Sequence, residues 1–365
     1  MDTLQVGVLL PTSTIIPLGK SFRKGLKKAF SKTNDLKVEL HFEFIGNGSP
    51  KLIEEKTRKL IDFDDIDVLV GIISNYSLAF MSKFFESINI PVLVNNLGAH
   101  VPNIKKLPKN ALINSDHMWL QVWSMGHWAV NEFGNKGMIA GGVYDMAYSF
   151  SHMLDIGMKA ADEKVNWSFA VSHMPEGERN ISAPSVVFEF IEKDLPDFLF
   201  AFFCGEEADL FLKEYVDRGL DKKVPLIGSP YLFQSLAGLN IDLQAYTSSL
   251  HFGGKHLEEL KQLADPNQNV FHLMGEETGE WLIDYSTHAN PNYELKNTVR
   301  GVHNFSLLDQ MEGVEVHLYK CEVKANGSVV LSEGESLQTI SVEDNTIKDS
   351  LNELTSAWFN PYLSL

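Results

Sequence analysis

Cysteine is nearly missing from this chain: among 365 residues there are only Cys204 and Cys321. With no metal-ligand spacing around either thiol, a disulfide-stapled scaffold and a zinc site are both excluded. Long apolar runs are missing too. The longest, such as Val68 to Ile73 and Phe198 to Phe203, are strand-sized and fall far short of the roughly 20 residues of a membrane helix. The expectation is a soluble protein with no membrane insertion. Basic charge is in deficit, with 31 Lys and Arg against 48 Asp and Glu and a formal net charge of -17. Such a balance repels phosphate backbones and anionic lipid, which excludes nucleic acid as a partner.

Catalytic signatures are equally scarce. There is no Gly-x-Ser-x-Gly elbow, no phosphate loop with Gly-Lys-Ser/Thr, no dinucleotide fingerprint and no His-Glu-x-x-His. His100, His117, His127, His152 and His173 are scattered without paired ligand spacing. The acidic run Asp62 to Asp67 contains apolar residues and reads as a solvated loop rather than a calcium site. No catalytic residue, metal or cofactor is assigned, and an enzyme is not expected. A secretory leader is not visible either: Met1-Asp2-Thr3 passes directly into the apolar run Leu4 to Leu10. Either the chain is never exported or its leader has been cut away.

What is present is a globular composition, 44% hydrophobic and 11% aromatic, over a length that suits two domains. Short apolar runs alternate with longer amphipathic segments, the pattern of β-α units building a mostly parallel sheet. Leu4 to Leu10 reads as a buried strand, Gly19 to Phe30 as an amphipathic helix and Val38 to Ile45 as a strand. Ser49-Pro50 supplies an N-cap and a first-turn proline for a helix over Pro50 to Ile61. Strand Val68 to Ile73, a helix from Ser77 to Ile88 and strand Pro91 to Val94 follow.

Around Leu112 to Asp116 the pattern restarts with a long helix through Phe133. Strands Gly137 to Val143, Trp167 to Ser172, Phe198 to Phe203 and Val224 to Ile227 then alternate with helices Ala147 to Lys164, Ser185 to Lys193 and Glu207 to Arg218. Beyond strand Tyr246 to Leu250, helices are expected at Lys255 to Leu263 and Phe271 to Tyr285. Asn326-Gly327 marks a hairpin turn between Val314 to Val323 and Ser328 to Leu331, before a short helix near Asp344 to Leu354.

In open α/β sheets, ligands bind at the carboxyl ends of strands, so the residues after each apolar run are where function is sought. Ser74-Asn75-Tyr76-Ser77 joins hydroxyls and an amide to the start of a helix, a setting that suits a carboxylate or serves simply as a cap. Asn95-Asn96-Leu97-Gly98 offers amides that are as often turn formers as ligand donors. Tyr144 and Tyr148 flank Asp145-Met146-Ala147, and Trp119 lies in the first turn of the long helix whose Trp123 and Trp128 read as packing. Cys204-Gly205-Glu206-Glu207 and Gly228-Ser229-Pro230-Tyr231 complete the set; acids opening a helix are most often partners of its dipole.

Taken in order, these stretches resemble the type I periplasmic binding proteins, in particular the leucine/isoleucine/valine-binding branch of the ABC-transporter receptors. Val6-Gly-Val-Leu-Leu-Pro with Gly19 resembles the opening strand, loop and helix, and Val70-Gly-Ile-Ile-Ser-Asn-Tyr-Ser the next strand and its polar loop. Asn89-Ile-Pro-Val-Leu-Val, Ser115-Asp116, Tyr144-Asp-Met-Ala-Tyr148 and Leu226-Ile-Gly-Ser-Pro continue the series.

The resemblance implies an α/β fold of two Rossmann-like lobes with parallel sheets, a clamshell with three crossings near Leu112 to Ser115, Gln244 to Ser249 and Leu307 to Val314. Lobe one would hold residues 1–114 and 248–309, lobe two 115–247 and 310–365. A small-molecule ligand would bind between them, and an ABC-transporter permease would be the protein partner. Carried over by position, the carboxylate grip falls on Asn75, Tyr76 and Ser77 and the second lobe-one loop on Asn95, Asn96 and Leu97. Trp119, Tyr148, Phe203, Cys204, Gly205 and Tyr231 would complete the site.

Two departures qualify the ligand. The family's amino-acid binders grip the ammonium group with an acid where this chain has Ser229-Pro230-Tyr231, and Ser149 stands in place of a glycine. With Tyr76, Trp119, Tyr148 and Tyr231 in the cleft, a planar or aromatic acid or an amide is expected, unless Glu206 or Glu207 supplies the ammonium partner. Localisation is periplasmic by resemblance, or cytoplasmic if Met1 is the native start; a cytoplasmic amide sensor on the same fold is the alternative function.

Overall fold

The computed structural model describes residues 3–13, 16–33, 38–173, 181–233, 239–250, 265, 267–288, 294–298, 301–304, 314–353 and 359. The chain divides into two compact units, one of Met1–His117, Gln262–Gly313 and Ser341–Leu365, the other of Met118–Lys261 and Val314–Ile340.

The first unit begins with β1 (Leu4–Leu10), α1 (Leu18–Phe30), β2 (Val38–Phe44), α2 (Pro50–Asp64), β3 (Val68–Ile72), α3 (Asn75–Phe80), α4 (Ser82–Ser87), β4 (Val92–Asn96) and β5 (Ala111–Ser115). Its sheet runs β2-β1-β3-β4-β5 with every pairing parallel. The three strands β3, β4 and β5 are buried at every position, as parallel strands covered on both faces must be. Ser49 in extended geometry and Pro50 at the first helical position start α2, and left-handed Asp65 ends it.

The second unit contains α5 (Met118–Phe133), β6 (Lys136–Gly141), α6 (Phe150–Ala161), β7 (Asn166–Val171), α7 (Ser185–Lys193), β8 (Phe198–Phe202), α8 (Gly205–Asp217), β9 (Leu226–Gly228) and β10 (Leu243–Ser249). The chain then supplies α9 (Val270–His288) and the antiparallel pair β11 (Glu294–Thr298) and β12 (Gly301–Asn304) to the first unit. It returns to the second with β13 (Val316–Val323) and β14 (Val329–Leu337), and ends in the first with α10 (Asn345–Glu353). The second sheet runs β14-β13-β10-β9-β8-β6-β7, parallel from β10 to β7 and antiparallel where β13 and β14 join. Gly327, at φ +79°, makes the turn between those two strands, as Asn326-Gly327 predicts.

Each unit contains one helix pair packed backbone to backbone. In the first, a Cβ on Gly25 of α1 would lie 2.0 Å from the His272 carbonyl of α9, and one on Gly275 would lie 2.2 Å from the Phe22 carbonyl. Lys28 and Lys32 both reach Glu276 at 2.7 Å, and Asn269, which caps α9, donates to Ser21 at 2.7 Å. In the second, Gly157 of α6 would place a Cβ 2.2 Å from the Trp123 carbonyl of α5.

Two readings of the sequence are corrected. The helix expected over Ser77 to Ile88 is two short helices, because Met81 leaves helical geometry at φ -98°, ψ 14°. The crossing expected near Leu112 to Ser115 falls between His117 and Met118, and Leu112 to Ser115 itself lies in β5, the fifth strand of the first sheet. The β11–β12 pair was not foreseen. The segment from Ser341 onward, expected in the second lobe, belongs to the first unit, where Val342, Ile347 and Ser350 are buried and Phe359 meets Ser74. The helix expected over Lys255 to Leu263 lies outside the described residues, as does most of the crossing expected near Leu307 to Val314.

Candidate functional site

In the first unit, the loops that follow β3 and β4 meet. Ser74, extended at φ -68°, caps α3 by accepting the Ser77 N–H at 3.1 Å. The Ser74 and Ser77 hydroxyls lie 2.6 and 2.9 Å from the Phe359 carbonyl oxygen. Ser77 is also within 3.0 Å of the Gly48 carbonyl. Two hydroxyl protons therefore satisfy both carbonyls when Ser74 donates to Phe359 and Ser77 to Gly48. Tyr76 is partly exposed, its ring 5.5 Å from that of His100 and 5.2 Å from that of Phe359.

The asparagines of this region are ties within the unit. Asn95 and Asn96 stand in β4 itself, paired in register with Asn114 and Ser115, rather than in the loop after it. Asn95 is wholly buried; its Oδ1 accepts from Asn114 and Thr278, and its Nδ2 donates to the Gly71 carbonyl. Asn96 donates to the Ile73 carbonyl and to Asn75 Oδ1, while its own Oδ1 accepts from the Gly98 N–H and the Ser115 hydroxyl. Asn75 in turn donates to the His100 carbonyl at 2.9 Å. Gly98 sits at φ +72°, where a Cβ would lie 2.6 Å from His117 Cα, so the turn admits no side chain. Leu97 is buried. The structure thus brings Ser74, Asn75, Tyr76, Ser77 and Asn96 together, with Tyr76 the partly exposed member and Asn95 and Leu97 fully buried.

In the second unit, the ends of β6 and β8 carry a carboxylate pair. A Cβ on Gly142 would meet Glu207 Oε2 at 2.5 Å and Asp145 Oδ2 at 3.3 Å, so both acids flank this glycine. Glu207 Oε1 accepts the Ser182 N–H and hydroxyl at 2.7 and 2.9 Å, and the Cys204 thiol donates to Asp145 at 3.4 Å. Glu206 and Glu207 stand in the first turn of α8, which left-handed Gly205 opens. Phe203 faces the other way: fully buried, its ring stacks at 4.6 Å on Phe211 in the hydrophobic core, because it continues the apolar alternation of β8. Tyr148 is buried beside Phe150, and Tyr231 is buried in the 3₁₀ turn Pro230–Phe233. Trp119 is also buried, with its indole N–H unpartnered.

Sequence reasoning placed the grip on residues 75–77 and so undervalued Ser74, the capping hydroxyl. It passed over Ser172, whose buried hydroxyl, like that of Ser229, finds no partner among the described residues. Phe359 had no local signal at all. Among the described residues, no group of three or more His, Cys, Asp or Glu is placed to hold a metal ion, and no helix is long and apolar enough to cross a membrane.

Residues 3–262 match the family described as periplasmic binding protein. The chain belongs to that family. No curated protein matches it in sequence. Among solved structures, this binding protein is similar to a solute-binding protein of an ABC transporter from R. palustris in complex with benzoate: 19% identity, 95% of this chain and 99% of that one covered, TM-score 0.66. It is similar as well to one from Rhodopseudomonas palustris HaA2 in complex with p-hydroxybenzoic acid, at 16% identity, 93% and 98% coverage and TM-score 0.66. The branched-chain amino acid transporter substrate-binding protein from Streptococcus pneumoniae, in complex with isoleucine, aligns at 12% identity, 91% and 99% coverage and TM-score 0.63. At these identities the likeness is one of fold: two α/β units, each on a largely parallel sheet.

Proposed function

We propose that this protein is the solute-binding component of an ABC importer of the cell envelope, that its ligand is a small aromatic carboxylate or amide, and that it works by capture and release without turnover. The observation that carries the ligand class is the Ser74–Ser77 hydroxyl pair converging on one carbonyl oxygen beside the Tyr76 ring. The Ser74 hydroxyl, left to donate there while Ser77 donates to the Gly48 carbonyl, suits a carboxylate or amide oxygen, and an adjacent ring suits a flat apolar body. The benzoate and hydroxybenzoate complexes of similar fold are in keeping with such a ligand.

The second unit qualifies this reading. Ser229 and Tyr231 stand where the resemblance calls for an acid, but Asp145 and Glu207 flank Gly142 at the neighbouring strand ends. Because the resemblance gives an acid of this unit the role of gripping an ammonium group, an aminobenzoate is tested beside plain benzoate. A thermal-shift screen of benzoate, 4-hydroxybenzoate, 4-aminobenzoate, benzamide and isoleucine tests it, since a ligand bound only to the native state raises the melting temperature. Stabilisation by the aromatic compounds is expected; stabilisation by isoleucine alone, or conversion of a bound compound into product, contradicts the proposal.

A further inference from the structure

The hydroxyl pair read above as the ligand grip is already occupied, by the protein's own Phe359. We infer that Phe359 is an internal competitor, which holds the Ser74–Ser77 pair until a ligand displaces it. This inference rests on the reading of that pair as the ligand grip.

Three observations support it. The Phe359 carbonyl is within hydrogen-bond reach of both hydroxyls, as a ligand oxygen would be. Its ring lies 5.2 Å from that of Tyr76 and 5.8 Å, edge-on, from that of Phe80, as an aromatic ligand body would lie. Helix α10, which ends six positions before Phe359, belongs to the first unit and buries Ile347 and Ser350 there. A tethered peptide group competes at the high effective concentration of an intramolecular partner, on the order of millimolar for a short linker. One peptide carbonyl and one phenyl ring mimic the two ends of an aromatic carboxylate but lack its charge, so a charged ligand has the means to win.

The energetic consequence is a lowered apparent affinity, because only the fraction of molecules with the grip open binds ligand. If Phe359 is docked in about nine molecules in ten, removing its ring improves apparent affinity roughly tenfold.

The experiment places 4-fluorophenylalanine at position 359 of the full chain and follows its fluorine resonance, with benzoate as the probe. In the ligand-free protein, the resonance is expected to be that of a packed ring and to move to the solvent-exposed position in the Ser74→Ala, Ser77→Ala double variant. Benzoate is expected to produce the same movement, and Phe359→Ala to lower the benzoate Kd about tenfold with the fold unchanged by circular dichroism. A solvent-exposed resonance in the ligand-free protein overturns the inference. So does benzoate that raises the melting temperature while leaving the resonance in place, an outcome that spares the functional reading. A packed resonance released by the serine substitutions, with no response of resonance or melting temperature to benzoate, keeps Phe359 in the grip and counts against the aromatic-acid reading instead.

Discussion

Asn96 Nδ2 donates to Asn75 Oδ1 at 2.9 Å, fastening the end of β4 to the start of α3. Asn96 makes four such bonds in all and is almost fully buried. Asn96→Asp removes both donors and leaves the Ile73 carbonyl and Asn75 Oδ1 short of a partner. Unsatisfied buried groups cost about 1–3 kcal/mol each, so denaturant unfolding should show a loss of about 3 kcal/mol. A loss under about 1 kcal/mol would mean that the tie is dispensable.

Tyr76 is the partly exposed member of its cluster, and among the described residues its ring meets those of His100 and Phe359. Tyr76→Ala should weaken benzoate binding about tenfold, from the loss of one aromatic contact worth roughly 0.5–1.5 kcal/mol together with its buried area, and should leave the melting temperature nearly unchanged. Tyr148 differs, being only 7% exposed beside Phe150. Tyr148→Ala should destabilise the protein by about 3 kcal/mol, in the range of aromatic truncations in cores. Equal effects of the two variants on stability would refute this division of roles.

Gly25 and Gly157 are fixed by the backbone across from them, at 2.0 and 2.2 Å from where a Cβ would sit. Backbone carbonyls cannot swing aside as side-chain ends can, so Gly25→Ala and Gly157→Ala should each force two helices apart. Overpacking of this kind costs about 1–3 kcal/mol, occasionally more, against the roughly 1 kcal/mol that alanine gains over glycine in an exposed helix. Calorimetry showing either variant to be more stable than the parent would contradict the packing described.

Acid should loosen the α1–α9 pair in two stages. Burial depresses the His272 pKa below its usual 6.5, assisted by the nearby Lys28 charge. A depressed folded-state pKa means that the stability contributed by neutral His272 is present above pH 6.5 and is lost as pH falls through the folded value. Burial also opposes the charge of Glu276, but hydrogen bonds from Lys28 and Lys32 outweigh it and hold that carboxyl below its usual 4.5. Its contribution is present above pH 4.5 and is lost below it. His272→Gln should flatten the first part of the melting-temperature profile and Glu276→Gln the second; unchanged profiles would show that neither group is linked to folding.

Much of the fold was legible because local patterns settle it. Leu4 to Leu10 and Ser185 to Lys193 coincide with β1 and α7, since a short, mostly apolar run and a 3.6-residue period point to a strand and a helix. The site was legible only in part. Asn95 and Asn96 follow an apolar run as ligand donors would, yet they serve as buried ties; residue type is the same for both roles, and only the partners tell them apart. Glu207, legible as a dipole partner, gains its place beside Gly142 through β6, far away in sequence. The Ser74–Phe359 contact joins residues 285 positions apart, a pairing that no local pattern encodes.

The central claim is that the Ser74–Tyr76–Ser77 loop grips a small aromatic carboxylate or amide. Isothermal titration of 4-aminobenzoate and benzoate into the parent protein and the Ser74→Ala variant tests it most directly. The account predicts saturable binding of one ligand per chain, weakened at least about tenfold by the loss of a charge-assisted hydrogen bond worth roughly 1.5–3 kcal/mol. Binding of equal strength to parent and variant, or binding of isoleucine with no heat from either aromatic acid, would contradict it.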